Sequence, residues 1–209
     1  MRVYQIFVDR FSTGSNNKDY KLRYKTSKNR LGGNISGIIN KLDYIHSLGF
    51  DAIWLTPIFK ADSYHGYGVL DHFSIDPHMG NDHDLSTLVN KAHKLGMRVI
   101  LDFVANHVSY KNEIFREASI DKNSEYRDWF TFYKNNDYLS FLNFKSLPKI
   151  NLENSGARNY MLNAASYWID KFDIDGYRLD HAIGPSKGFW IEFISVCRNM
   201  KSDFIFLPE

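Results

Sequence analysis

The feature that most limits what this chain can fold into is a unit used more than once: an amphipathic helical stretch, a glycine, and then a short apolar run. Two of its junctions read His46-Ser47-Leu48-Gly49-Phe50 and His93-Lys94-Leu95-Gly96-Met97. Ile35, Ile38, Ile39, Leu42, Ile45 and Leu48 fall on helical spacing behind Asn34, a good N-cap, and Gly49 is placed to end the helix. Ala52-Ile53-Trp54-Leu55 follows as a continuous apolar run that suits a strand buried on both faces. Leu85, Leu88, Val89, Ala92 and Leu95 mark the second helix, and Arg98 to Phe103 the strand after it. A third copy sets Met161, Leu162, Ala165, Trp168, Ile169 and Phe172 on one face ahead of Asp173 to His181; a fourth runs from Phe189 to Met200 into Phe204-Ile205-Phe206-Leu207. Val3 to Val8, rich in β-branched and aromatic residues, reads as the first strand. Strands alternating with helices of this length imply parallel strands joined by right-handed crossovers.

One segment breaks the rhythm. From about Ser109 to Asn154 the chain is polar and aromatic without a sustained apolar period, which points to a subdomain inserted after the third strand. The expected division is 1–108, first part of the α/β unit; 109–154, insertion; and 155–209, the α/β unit continued. The net charge of +2, with its lysines and arginines scattered and a basic loop through Lys28 that reads as a solvated face, argues against nucleic acid as a partner. No stretch calls for a membrane, and no apolar signal-peptide core follows Met1, so the cytoplasm is the default expectation. Cys197 is the one cysteine, which excludes an internal disulfide framework.

In a parallel α/β protein, function lies at the carboxyl ends of the strands. The polar residues collect there: Asp102 to His107 after the third strand, Arg178-Leu179-Asp180-His181 after the fourth, Glu209 after the fifth, and Tyr64-His65-Gly66-Tyr67 after the second. Side-chain alternation puts Arg178 and Asp180 on one side, and a guanidinium beside a carboxylate favours its ionised form. Taken alone, an Arg-x-Asp at a strand end is more often a structural ion pair. The coincidence at one rim supplies two carboxylates, a cation, a histidine and an aromatic platform.

At this point the sequence resembles the α-amylase family of glycoside hydrolases over nearly its whole length. Asp102 to His107 resembles that family's first conserved region, Gly176 to Asp180 its second, and Phe206-Leu207-Pro208-Glu209 its third. Leu147 to Asn154 is similar to the short region closing its inserted domain, and Tyr4 to Phe11 is typical of its first strand. The resemblance implies a (β/α)8 TIM-type barrel, here incomplete, with an insertion after strand three, acting on starch-like α-glucans or maltooligosaccharides. It implies Asp180 as nucleophile, Glu209 as general acid and base, and Arg178 as the group keeping Asp180 ionised. Tyr67 would pack on the sugar ring, His107 would bond a ring hydroxyl, and His181 would contact substrate. Asn106 matches one side-chain calcium-ligand position; as a plain loop hydrogen-bonder it is equally well explained. A retaining glycosidase needs two carboxyl groups about 5 to 5.5 Å apart.

Three departures accompany the resemblance. Pro208 stands where Gly usually precedes the acid, and Ile183-Gly184 stands where a Lys-His pair often contacts the next sugar. A fourth region, with a His and an Asp on a later strand, does not occur in these 209 residues. The expectation is therefore an N-terminal portion of a longer enzyme, with roughly five of the eight βα units and no hydrolytic activity alone. Hydrolysis, transglycosylation and isomerisation share the first chemical step, so residues alone do not separate them. A non-catalytic carbohydrate-binding relative usually lacks a carboxylate that this chain keeps. A doubly wound nucleotide-binding protein is disfavoured because Phe11-Ser12-Thr13-Gly14 is no phosphate loop.

Overall fold

The computed structural model describes residues 1–14 and 30–209; the basic loop through Lys28 otherwise lies outside the described residues. Five strands form one parallel sheet in the order β1 (Val3–Ile6), β2 (Ala52–Leu55), β5 (Arg98–Phe103), β6 (Gly176–Leu179) and β7 (Ile205–Pro208). The order follows the chain, each strand lying beside the next, which is the winding of part of a (β/α)8 barrel and not of a doubly wound sheet. Helices α2 (Ile35–Ser47), α3 (Asp82–Lys94), α5 (Ser155–Phe172) and α6 (Lys187–Met200) provide the crossovers. No helix among the described residues is long and apolar enough to cross a membrane.

The local chemistry behind these elements is conventional. Asn34 caps α2 by accepting from the Gly37 amide at 2.9 Å, and Asn81 and Asp84 form a reciprocal capping box at the start of α3. Gly49 and Gly96 follow their helices with φ of +82° and +71°, the left-handed conformation that lets the chain turn straight into β2 and β5. Apolar faces of α2, α3, α5 and α6 then close on the sheet, with α2 packed against α3 and α5 against α6. Trp168 is fully buried, stacks between Phe59 and Phe172, and donates its indole N–H to the His72 carbonyl at 2.7 Å. Burying so large a ring is tolerable because that polar edge is satisfied.

One local reading is corrected. The first strand ends at Ile6, and Val8–Phe11 is a single helical turn (α1), because the Val8 amide is drawn to Thr56 Oγ1 and buried Asp9 accepts from the Leu31 and Gly32 amides. The segment after β2 holds an antiparallel hairpin, β3 (Phe59–Ala61) and β4 (Val69–Ile75), whose register slips hide it from simple alternation. The insertion has its own order as well: α4 (Glu113–Ile120) and an aromatic cluster of Phe115, Phe130, Phe132 and Tyr138. A bridge from Phe130 to Ile150 closes the insertion on itself, and one from His107 to Lys149 ties its return to the barrel side.

At the amino ends of the strands, Asp175 is buried and collects the Val99 amide, His93, Arg98 and Lys201. Burial alone would raise its pKa, but these donors more than offset that and hold it below the ordinary value. Next to it, Gly176 packs tightly against β7: a Cβ there would stand 2.6 Å from the Ile205 carbonyl oxygen and 2.8 Å from Ile205 Cβ. Gly176→Ala is expected to destabilise the fold by about 1–3 kcal/mol through this overpacking. Denaturant titration reads it directly, and an unchanged midpoint would show that β7 can move away freely.

Candidate active site

The site is built from strand ends. Asp102 on β5 and Arg178 on β6 are register partners, so their side chains emerge side by side on the same face. Arg178 Nη1 donates to Asp102 Oδ1 at 3.0 Å and Oδ2 at 3.1 Å, and also to Asp180 Oδ1 at 2.7 Å. Its other nitrogen, Nη2, lies 2.6 Å from Glu209 Oε1. Glu209 is directed there despite Pro208: its amide keeps the ladder bond to the Leu179 carbonyl, and its Oε2 accepts from the His181 amide at 3.1 Å. That amide is available because His181 adopts a left-handed φ of 46°, an unfavourable conformation for a non-glycine residue.

Tyr67 reaches the same cluster from the β3–β4 connection, donating its hydroxyl to Asp102 Oδ2 at 3.1 Å. His107, on the segment leaving β5, is buried; its Nδ1 lies 3.3 Å from Asn106 Nδ2, while Nε2 has no partner. Tyr67, His107, Arg178, Asp180 and Glu209 line one hollow of about 490 Å³. The side chain of His181 packs edge-on against Phe141, and His181 is not among the residues lining the hollow.

Asn106 Oδ1 is buried and unpartnered, and no group of three His, Cys, Asp or Glu able to hold a metal stands among the described residues. Calcium takes roughly six to eight oxygen ligands, backbone carbonyls among them, and Asn106 Oδ1 is one side-chain oxygen at the expected position. Gly184 has a packing reason: a Cβ on it would fall 2.2 Å from Asn106 Oδ1, and its carbonyl accepts from Lys149 Nζ at 3.0 Å, whereas Ile183 is exposed.

Four contributors escaped the reading from residues. Asp102 was visible only as a strand-end acid, yet it receives Tyr67, Arg178 and the Trp54 indole N–H at 3.2 Å. His65 stacks on Tyr67 and accepts its amide. Phe141 and Phe144 come from the aperiodic insertion and line the hollow; their abundance of neighbouring aromatics was the one available signal.

The family model "Alpha amylase, catalytic domain" matches residues 5–137 and 131–187. Alpha-amylase 2 of Dictyoglomus thermophilum is 51% identical over 202 residues, covering 97% of this chain and 35% of that protein. A cyclomaltodextrinase of Geobacillus thermopakistaniensis is 38% identical over 222 residues, covering 99% of this chain and 37% of its own length. Among solved structures, the cyclic alpha-maltosyl-(1→6)-maltose hydrolase of Arthrobacter globiformis superposes with a TM-score of 0.91 at 32% identity, over 99% of this chain and 50% of that one. The chain thus spans about a third of the length of these curated relatives.

One guanidinium faces three carboxylates in this site, so the charges do not balance. Burial pushes Asp102 up to about 7, the pull of Arg178 notwithstanding. Burial also raises Asp180 from its ordinary value, outweighing Arg178, with Glu209 adding a like charge. The expectation that Arg178 would lower the Asp180 pKa is therefore corrected: the guanidinium acts in that direction, but desolvation is the larger effect. Arg178 would itself lose charge on burial, but Asp102, Tyr67 and Asp180 hold its proton more tightly than usual. His107 is pushed down to about 4 by burial and is neutral at physiological pH.

Because the folded pKa of Asp102 lies above its unfolded value, its contribution to stability is complete below about pH 4. That contribution is lost as pH rises through about 7. Denaturation free energies across this range are expected to fall with rising pH in the wild type and to fall less in Asp102→Asn. Identical pH slopes for the two proteins would show that Asp102 is ionised throughout.

Proposed function

This chain belongs to the alpha-amylase family, and from that premise we propose that its hollow cleaves α-1,4-glucosidic bonds of starch-like glucans or maltooligosaccharides with retention of configuration. The observation carrying this reading is the Arg178 fork, which holds Asp180 at 2.7 Å and Glu209 at 2.6 Å on one hollow. A bridge through a single planar group brings the two carboxyl groups to one hollow, which supports the reading of a double displacement between them.

In the first step an Asp180 oxygen attacks the anomeric carbon as the bond to the leaving sugar's oxygen breaks. Glu209 gives that oxygen its proton. In the second, Glu209 takes a proton from water, whose oxygen attacks the same carbon and releases the Asp180 carboxylate. Glu209 is ion-paired with Arg178 in the free protein, so for the first step it must leave that partner and take up a proton from solvent, which it then gives to the glycosidic oxygen. Asp180 keeps Arg178 throughout, and Asp102, held at Arg178 and Tyr67, fixes the fork's orientation. Tyr67 offers a ring face for the sugar, and neutral His107, whose ring lines the same hollow, is the group beside it to bond a ring hydroxyl.

In the intact protein, Asp180→Asn is expected to lower kcat on maltoheptaose by about a thousandfold or more, and the first reducing ends released by the wild type are expected to be α-anomers by NMR. Wild-type turnover in Asp180→Asn removes the nucleophile assignment, and initial β-anomers exclude retention.

A further inference from the structure

The tip of the insertion, residues 141–147, carries features that neither the fold nor the Arg178 cluster requires. Leu142 and Asn143 are consecutive non-glycine residues with left-handed φ of 47° and 64°. Such backbone is unfavourable for L-residues and persists where its surroundings impose it, often beside a functional site. The surroundings are visible: Phe141 and Leu147 are joined by an amide-to-carbonyl bond of 2.9 Å, and within the turn Phe144 N donates to the Phe141 carbonyl at 2.8 Å and Leu147 N to that of Phe144 at 2.9 Å. Phe141 anchors the turn, stacked on His107 with centroids 4.7 Å apart and edge-on to His181 at 4.7 Å. The consequence falls on Phe144. It is 58% exposed, an unfavourable state for a large apolar ring, yet it lines the same hollow as Asp180 and Glu209.

We propose that Phe144 is a glucan-stacking residue, presented by the strained 141–147 turn to bind a glucosyl ring further along the chain than the ring on Tyr67. The assignment rests on the α-glucan reading of the hollow. The apolar face of a glucose ring is the chemistry that an exposed phenyl face at the mouth of a polar cleft can cover, while the ring's hydroxyls stay in water. Phe141 is a positioning residue: it touches His107 and His181, and through the turn it sets where Phe144 points.

The test is steady-state kinetics of the intact protein on maltotriose through maltoheptaose, with Phe144→Ala, Phe144→Trp and Asp180→Asn run side by side. Phe144→Ala is expected to raise KM for maltoheptaose about tenfold, with a smaller rise as the substrate shortens and a far smaller change in kcat; Phe144→Trp is expected to restore the wild-type KM. Since Phe144 is exposed, loss of folding is not expected, and matching thermal midpoints establish that. An unchanged KM at every length, or an equal rise at every length, overturns the assignment of Phe144. If Asp180→Asn is inactive in that case, the hydrolase reading stands; if Asp180→Asn is fully active, that reading fails first.

Discussion

The Arg178 guanidinium is the group on which the arrangement at the strand ends depends. It lies on a short buried strand and satisfies carboxylates from three successive strand ends: Asp102 beside it, Asp180 beyond it and Glu209 on the far neighbour. Desolvating such a cluster is costly unless every charge has a partner, and removing the shared cation would leave several acids facing one another in a dry site. The parallel register makes the arrangement possible, because Asp102, Arg178 and Leu207 are aligned across three strands. Extending each strand by one or two residues delivers an acid to either side of the fork.

The same cluster explains why the acids differ. They share one positive charge, and the most buried of them, Asp102, is the one whose ionisation burial disfavours most strongly. Tyr67 and Trp54 donate to Asp102, so it is a structural hub that orients Arg178 and leaves the other two acids facing the hollow. Asp180 is largely enclosed and makes one short contact to the fork, whereas Glu209 is 59% exposed on its side chain and is held from two sides, by Arg178 and by the His181 amide. Environment therefore assigns different work to chemically similar groups.

Around this rigid centre the insertion acts as a separately built wall. Its aromatic cluster gives it a core of its own, and its return segment is stitched to the barrel by the His107–Lys149 bridge and by the Lys149 contact to Gly184. Loops tolerate variation that strands do not. A wall carried on a loop can therefore change the outline of the hollow while the strand-borne acids stay in place, and the backbone strain at Leu142 and Asn143 lies at the edge of that wall.

Much of this protein was already determined by the order of its residues. Helical spacing followed by glycine and an apolar run dictated the parallel α/β winding, since those periods have one way each of burying their apolar faces; Asp180, Arg178 and Glu209 were legible because strand ends are where such a fold exposes polar groups. The hairpin of β3 and β4 was not legible, because register slips break the alternation that reveals a strand. Nor was the role of Asp102, whose importance comes from being opposite Arg178, a residue 76 positions away. Tertiary structure alone decided that burial outweighs Arg178 at Asp180, and that Phe141 and Phe144 from an aperiodic segment reach the hollow. The reason is the same in each case: desolvation and cross-strand contact depend on what the chain places nearby in space, and the local sequence carries no record of those distances.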